Sequence, residues 1–253
     1  MKTHTDLSDL ALLTYTHTAC KDVWPVYFGQ LKKYLPEDIS SFVLSNDVGP
    51  EFANENTFLI YDESDPYYIQ YTSGLDRIDQ KYILYAQEDF ILYDSPNVER
   101  LTRYLNFLEK SDYSFVRLIR SGFTEVDHGL SQIEDDIFDA NTLDTNSFPF
   151  QMQATVWKKS DMRALYKTAR SPLHLEPAAD WPGCMRSLGL KGAYCYNGEP
   201  QQGKYHWGTS TYPHIVSAVQ RGKWNTFQHD GIILEILNEY NIDPNDRGMR
   251  TQY

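Results

Sequence analysis

Apolar runs alternate with amphipathic stretches through the first half of the chain. LALLTYT, starting at Leu10, is a continuous apolar run of the kind that a strand buried on both faces requires. DVWPVYFGQLKKYL then has helical spacing, with Asp22 expected as its cap, Pro25 tolerated in the first turn, and an end before Pro36. SFVLS and TFLIY predict short strands, PYYIQYTSGLDRIDQ a somewhat irregular helix, and YILYA another strand. After Ser95-Pro96 a helix is expected with proline at its first position. The order β, α, β, β, α, β, α predicts an α/β protein with a mostly parallel sheet and helices on its faces.

The second half is less regular. YSFVRLI and MQATVW predict strands, and between them residues 121–148 form a polar, Asp- and Asn-rich stretch that reads as a long loop, either irregular chain or a binding loop. Ser160 is expected to cap the helix DMRALYKTA. LEPAADWPGCMRSLG is helix-like and acidic, a Gly/Tyr-rich segment runs to residue 213, and IILEILNEY predicts an amphipathic final helix. No internal repeat, low-complexity tract or clear linker interrupts this order, so a single domain over 1–253 is expected.

In KYILYAQEDFILYD, residues 81–94, Glu88 and Asp89 interrupt two strand-forming runs. One reading is a hairpin turn, where acidic residues are at home. The other is a buried parallel strand that ends at Ala86 and presents carboxylates at its carboxyl edge, where open α/β sheets bind their ligands.

Composition narrows the classes. A net charge of −12, from 23 basic and 35 acidic side chains, argues against a surface that holds a phosphate backbone, so no nucleic acid partner is expected. The 19 Tyr and 5 Trp either pack the core or form platforms for sugars or partner surfaces. Cys20, Cys184 and Cys195 include no CxxC pair, which predicts a reducing, cytoplasmic setting and neither a zinc knuckle nor a disulfide scaffold. MKTHTDLSDLALLTYT is poor signal-peptide material, and no stretch is long and apolar enough for a transmembrane segment, so a soluble protein is expected. Neither GxxxxGK[ST] nor GxGxxG follows the first strand, against a phosphate-loop NTPase or a dinucleotide-dependent dehydrogenase.

A first strand ending in TYT, a second ending in SND, a helix feeding YILYAQEDF, and later QATVWKKSDMRAL with SPLHLEP together resemble nucleotide-sugar-dependent glycosyltransferases of the GT-A fold. YPHIVSAVQRGKW, residues 212–224, is similar to the closing segment of small bacterial and viral members. The resemblance implies a GT-A-like, Rossmann-type, mostly parallel central sheet with helices on both faces. It implies a nucleotide-binding half over 1–94 and an acceptor-binding half over 95–253. Gln87-Glu88-Asp89 stands where the family commonly has Asp-x-Asp, with an amide in place of the first acid.

The resemblance also assigns roles. Asp89 is the expected ligand of Mn²⁺ or Mg²⁺, and Glu88 a second ligand or a contact to ribose or metal-bound water. Such an ion offsets the charge that develops on a departing diphosphate. Thr14, Tyr15, Thr16 and Asn46 or Asp47 would hold base and ribose, although Thr and Asn after strands are also ordinary turn residues. Glu176, with Asp180 one turn later as the fallback, would be the general base, against the plain alternative of an acid favoured at a helix start. His214, more than His206, is the candidate histidine ligand, a structural role being the ordinary alternative. Arg221 and Lys223 beside Trp224 would neutralise donor phosphates.

The implied activity is transfer of a sugar from a nucleoside-diphosphate sugar to a hydroxyl of a glycan or lipid-linked acceptor, as in polysaccharide biosynthesis. It would be metal-assisted and inverting, with a Glu base. The alternative is a GT-A-like module without turnover that binds glycan or a partner, which Gln87 invites. A sugar nucleotidyltransferase is a third reading, but its Gly-rich loop and following basic residue are missing after the first strand.

Overall fold

The computed structural model describes residues 3–121, 131–140, 152–170, 184–185, 187–203, 206–207, 210–226 and 229–250. The strands are β1 (Leu10–Tyr15), β2 (Ser40–Ser45), β3 (Thr57–Ile60), β4 (Tyr82–Gln87), β5 (Ile91–Leu92), β6 (Phe115–Arg117), β7 (Arg120–Ser121), β8 (Gln132–Glu134) and β9 (Ile137–Asp139). They continue with β10 (Thr155–Lys158), β11 (Gly192–Cys195), β12 (Gln201–Gly203), β13 (His206–Trp207), β14 (His214–Ile215), β15 (Val219–Gln220), β16 (Lys223–Asn225) and β17 (Met249–Arg250). The helices are α1 (Trp24–Tyr34), α2 (Tyr67–Leu75), α3 (Val98–Lys110), α4 (Lys159–Tyr166), α5 (Ile232–Glu239) and α6 (Pro244–Arg247).

A nine-stranded sheet in the order β3-β2-β1-β4-β10-β6-β11-β9-β8 forms the centre. Only β10 and β9 run against the rest, so the expected mostly parallel α/β sheet is present. Burial explains why β1 is apolar at almost every position: Leu10 to Thr14 are all inaccessible, as a parallel strand covered on both faces must be. The chain steps from β1 to β2 on one side and later returns to β4 on the other. Strand order therefore reverses between β1 and β4, and a crevice opens at their carboxyl ends. One apolar cluster runs from Leu7 to Val216, and a smaller one joins Val23 and Val26 of the α1 segment to Trp224 and Ile233.

Several helix starts differ from expectation. Asp22 does not cap α1; Val23 holds that position with no side-chain bond, and Asp22 ion-pairs with Arg247 instead. Pro25 does lie in the first turn. Asn97 caps α3 by accepting the Arg100 N–H at 3.0 Å, so Pro96 precedes the cap and is not the first helical residue. Ser160 lies inside the first turn of α4, where its hydroxyl turns to Asp161 at 3.2 Å. In α2 the Thr72 and Ser73 hydroxyls each donate to carbonyls one turn back, at 2.7 Å, which accounts for its irregular reading.

The stretch 121–148 is not loop throughout. Residues 132–139 form the β8–β9 hairpin, which extends the sheet with Ile137 and Phe138 buried. Asp136 at its turn is buried, accepts the Tyr104 hydroxyl at 2.8 Å and ion-pairs with Arg103, tying the hairpin to α3. Residues 122–130 and 141–148 of that stretch, and the acidic segment 171–183, lie outside the described residues. Among the described residues no helix is long and apolar enough to cross a membrane.

Asp136→Ala removes the 2.8 Å acceptor of the Tyr104 hydroxyl and one of the two carboxylates paired with Arg103, which keeps Asp135, and we expect a loss of about 2 kcal/mol in urea unfolding. A loss below about 1 kcal/mol would mean that Ile137 and Phe138 hold the hairpin unaided.

Candidate functional site

The register of β1 with β4 pairs Thr14 with Ala86 and Tyr15 with Gln87, so both chains leave the sheet side by side. β4 ends at Gln87, and the Phe90 N–H closes onto the Gln87 carbonyl at 3.0 Å. The chain does not fold back along β4. β5 departs to pair with β14, Leu92 opposite His214 and Ile91 opposite Ile215, which rules out the hairpin reading of residues 87–90. Glu88 and Asp89 stand instead at the edge of a parallel strand, beside a cleft of about 230 Å³ lined also by Tyr15, Thr16, Cys20 and Arg247. A larger depression of about 490 Å³ lies between α1 and the start of β2. It sits at the amino edge of that strand, away from the carboxyl edge where open sheets bind ligands, and its Lys32 and Glu55 already pair with each other, so its size does not make it the site.

Glu88 faces the segment after β1. The Trp24 indole N–H donates to the Thr16 hydroxyl oxygen at 3.0 Å, and Thr16 and Cys20 line the cleft beside Glu88. Burial pushes Glu88 above the usual carboxylate range against the pull of the neighbouring Cys20 thiol and Thr16 hydroxyl. Burial and the nearby Glu88 charge push the Cys20 thiol up to about 12, so Cys20 stays protonated here and is not a nucleophile. Asp89 is fixed by its backbone: its carbonyl accepts the Ala218 N–H at 2.9 Å, which binds the acidic motif to the YPHIVSAVQRGKW segment.

Other expected donor contacts divide. Thr14 is fully buried, with its hydroxyl at 2.7 Å from that of Tyr27, and it supports packing beneath the cleft. Tyr15 reaches the cleft, and its half-buried ring stacks on Tyr61 at 5.8 Å and on Tyr71 at 5.4 Å. Asn46 braces the loop after β1, accepting the Thr18 N–H at 2.9 Å and donating to the Thr18 hydroxyl at 3.0 Å. Asp47 is exposed, does not line the cleft, and accepts the N–H of its neighbour Val48 at 2.8 Å. His17 and Glu63 complete the brace. His17 Nδ1 accepts the Ala19 N–H at 2.9 Å, so the proton resides on Nε2 and is donated to Glu63 at 2.8 Å.

The C-terminal candidates also separate. Arg221 and Gly222, both with positive φ, form the two-residue turn of the β15–β16 hairpin. Arg221 and Lys223 are exposed and do not line the cleft, whereas Val219 does. His214 is fully buried on β14, outside the cleft lining. Its Nδ1 is paired with the Tyr212 carbonyl, which can only accept, leaving the Nε2 lone pair with no hydrogen-bond partner among the described residues. Burial holds its pKa down at about 3, so the ring is neutral. His206 lies on β13, and Glu176 and Asp180 lie outside the described residues. Arg247, like His17 and Cys20, lines the cleft without having been expected there from the sequence. It is paired with Asp22, 225 residues away in the chain, and no local pattern foretells that approach.

Glu88 and Asp89 bring two carboxylates to one cleft, the oxygen-donor chemistry that a hard divalent cation would take. Among the described residues no three His, Cys, Asp or Glu side chains converge into a closed metal cage.

No family model matches the chain, and no curated protein does. Solved structures share parts of it. A crystal structure of residues 1–349 of S. aureus TarS is 13% identical, covering 79% of this chain and 60% of that one with a TM-score of 0.43. The same protein in complex with UDP is 10% identical, covering 74% and 56% with a TM-score of 0.44. The glycosyltransferase GlyE of Streptococcus pneumoniae TIGR4 is 11% identical, covering 70% and 42% with a TM-score of 0.42. The chain spans 60% or less of the length of each of these proteins.

A carboxyl whose folded pKa is raised contributes stability below its unfolded value, and that contribution is lost as pH rises through the folded value. Ionised Glu88 is therefore a cost at neutral pH. Glu88→Gln, which keeps an acceptor for Thr16 and Cys20, is expected to melt higher than the parent at about pH 7.5, with the gain vanishing below about pH 4. A difference that does not change with pH would show that Glu88 carries no such penalty.

Proposed function

We propose that this protein is a nucleotide-sugar-dependent glycosyltransferase with a GT-A-like fold. The observation that carries the reading is the pair Glu88 and Asp89 beside Tyr15 and Thr16, at the point where strand order reverses between β1 and β4. Residues 1–94 act as the donor half and 95–253 as the acceptor half. The loop after β1, braced by Asn46, holds base and ribose against the exposed part of Tyr15.

Charge explains how a diphosphate enters. Glu88 and Asp89 outweigh the one guanidinium in the described lining, so a nucleoside diphosphate is repelled unless a divalent cation comes with it. Asp89 is the direct ligand of Mn²⁺ or Mg²⁺, and Glu88, oriented by Thr16 and Cys20, serves as second ligand or outer-shell acceptor. His214 remains a candidate through its unpartnered Nε2 lone pair. When bound, the ion offsets charge on the departing diphosphate. Glu176, or Asp180 one turn on, takes the proton of the acceptor hydroxyl of a glycan or lipid-linked acceptor, and a base opposite the leaving group inverts the anomeric centre. The free thiols Cys20, Cys184 and Cys195 accord with a cytoplasmic setting.

Gln87 favours a second reading. Its amide donates to the Tyr85 hydroxyl at 2.8 Å and brings no carboxylate to the cleft, as in a module that binds glycan or a partner without turnover.

Two measurements separate these. Calorimetric titration of nucleoside diphosphates should show affinity that depends on Mn²⁺ and falls at least about tenfold in Asp89→Ala with little change in melting temperature, since the residue sits at a strand end. Unaltered affinity and metal dependence in that variant would remove Asp89 from the assignment. Glu176→Gln should keep nucleotide affinity and slow sugar transfer by roughly 10² to 10⁴. If Asp180→Asn is the slow variant instead, the base is Asp180; normal rates in both would end the proposed mechanism.

A further inference from the structure

Arg247 and Asp22 form an ion pair whose two members are unequal. The Arg247 side chain is 14% exposed and the Asp22 side chain 54% exposed. Nε donates to Asp22 Oδ2 at 2.6 Å and Nη2 donates to Oδ1, so the carboxylate fills the fork of the guanidinium. A third donor, Nη1, makes only a long contact of 3.4 Å to the Gly222 carbonyl. The guanidinium lies 5.7 Å from the centre of the Trp224 ring, which is itself buried. The cation is thus seated in the protein, while its carboxylate partner stands half in water. Asp22 also makes no cap hydrogen bond to α1, so opening its pair with Arg247 breaks no bond of that helix.

We infer that Asp22 is a built-in stand-in for the donor's phosphate, so that nucleotide binding exchanges one anion for another on Arg247. This rests on the nucleotide-sugar reading above. A phosphate presents the same pair of oxygens to the fork as a carboxylate and carries more charge. Arg247 is in the cleft lining with Glu88 and Asp89, close enough for its charge to act on Glu88 and Cys20. Asp22, released into water, regains hydration it has only partly lost. The exchange has a cost, because the pair with Asp22 must open first, and affinity for a diphosphate is held down by that amount. While Asp22 holds the fork, the cleft's positive charge is cancelled and its two carboxylates dominate, which disfavours anions that arrive without a divalent cation.

Inorganic pyrophosphate is a suitable probe, since it needs no knowledge of base or sugar. Its affinity is measured by calorimetry at fixed ionic strength with Mn²⁺, in the parent chain and in Asp22→Asn, Arg247→Lys, Arg247→Met, Asp89→Ala and the double variant Asp22→Asn/Arg247→Met. Asp22→Asn should bind about three- to tenfold tighter, Arg247→Met at least about tenfold weaker, and Arg247→Lys in between because charge stays while the fork is lost. The double variant should match Arg247→Met, because Asp22 acts only through Arg247. Melting curves identify any variant that fails to fold; should Arg247→Met be one, Asp22→Asn and Arg247→Lys decide. If Asp22→Asn binds no tighter than the parent while Asp89→Ala still loses Mn²⁺ dependence, the exchange is wrong and the nucleotide-sugar reading stands. If the parent binds neither pyrophosphate nor nucleoside diphosphates, with or without Mn²⁺, both are overturned.

Discussion

The parallel pairing of β1 with β4, from Leu10 opposite Tyr82 to Tyr15 opposite Gln87, is the constraint on which the cleft depends. Side chains alternate faces along a strand, so a slip of one residue would turn Tyr15 and Gln87 away from their present sides and separate Thr16 from Glu88. Burial on both faces locks the register, since Leu10 to Leu13 and Tyr82 to Ala86 are all inaccessible. Strand order reverses at this pair, so the helices that follow β1 and precede β4 pack on opposite sides and leave the strand ends uncovered.

Above those ends the cleft is organised by hydrogen bonds to an acid that burial opposes. Glu88 is half enclosed, and the polar groups beside it that offset its burial are neutral: the Thr16 hydroxyl, itself bonded by the Trp24 indole, and the Cys20 thiol. Neutral donors fix the carboxylate without neutralising it, so its charge remains available to an incoming cation. Arg247 could have cancelled that charge, but its fork is turned to Asp22. A negative cleft with one engaged guanidinium follows from these two arrangements.

The abundant tyrosines are mostly structural. Tyr27, Tyr71, Tyr82, Tyr85, Tyr104 and Tyr166 are buried, and Tyr71 and Tyr166 stack at 3.9 Å in the layer behind Tyr15. Tyr15 joins the two roles, packed on that layer at its back and open to the cleft at its edge. Its ring is packed by Tyr61, which follows β3, and by Tyr67 and Tyr71 of α2, and Tyr71 is stacked in turn on Tyr166 of α4, so the floor of the cleft belongs to the packed core.

Much of the fold was legible in the sequence because period and burial are local signals. LALLTYT, YILYA and IILEILNEY form the elements that their apolar patterns predict, and acids just past a buried strand proved to stand at its carboxyl edge. Helix caps were less legible: Asp22 and Ser160 have the right chemistry for caps, but a cap must compete with tertiary partners, and Arg247 took Asp22. A turn of alternating polarity such as 132–139 was hidden inside a polar stretch, because an edge hairpin buries only one or two residues. Residue chemistry at 87–89 and the strand that carries it were therefore determined by the sequence alone. Which residues reach that motif, Thr16 and Cys20 from the first loop, Ala218 from the closing segment and Arg247 from near the end of the described residues, was decided only by the tertiary structure, because residues so far from 87–89 along the chain leave no periodicity to read.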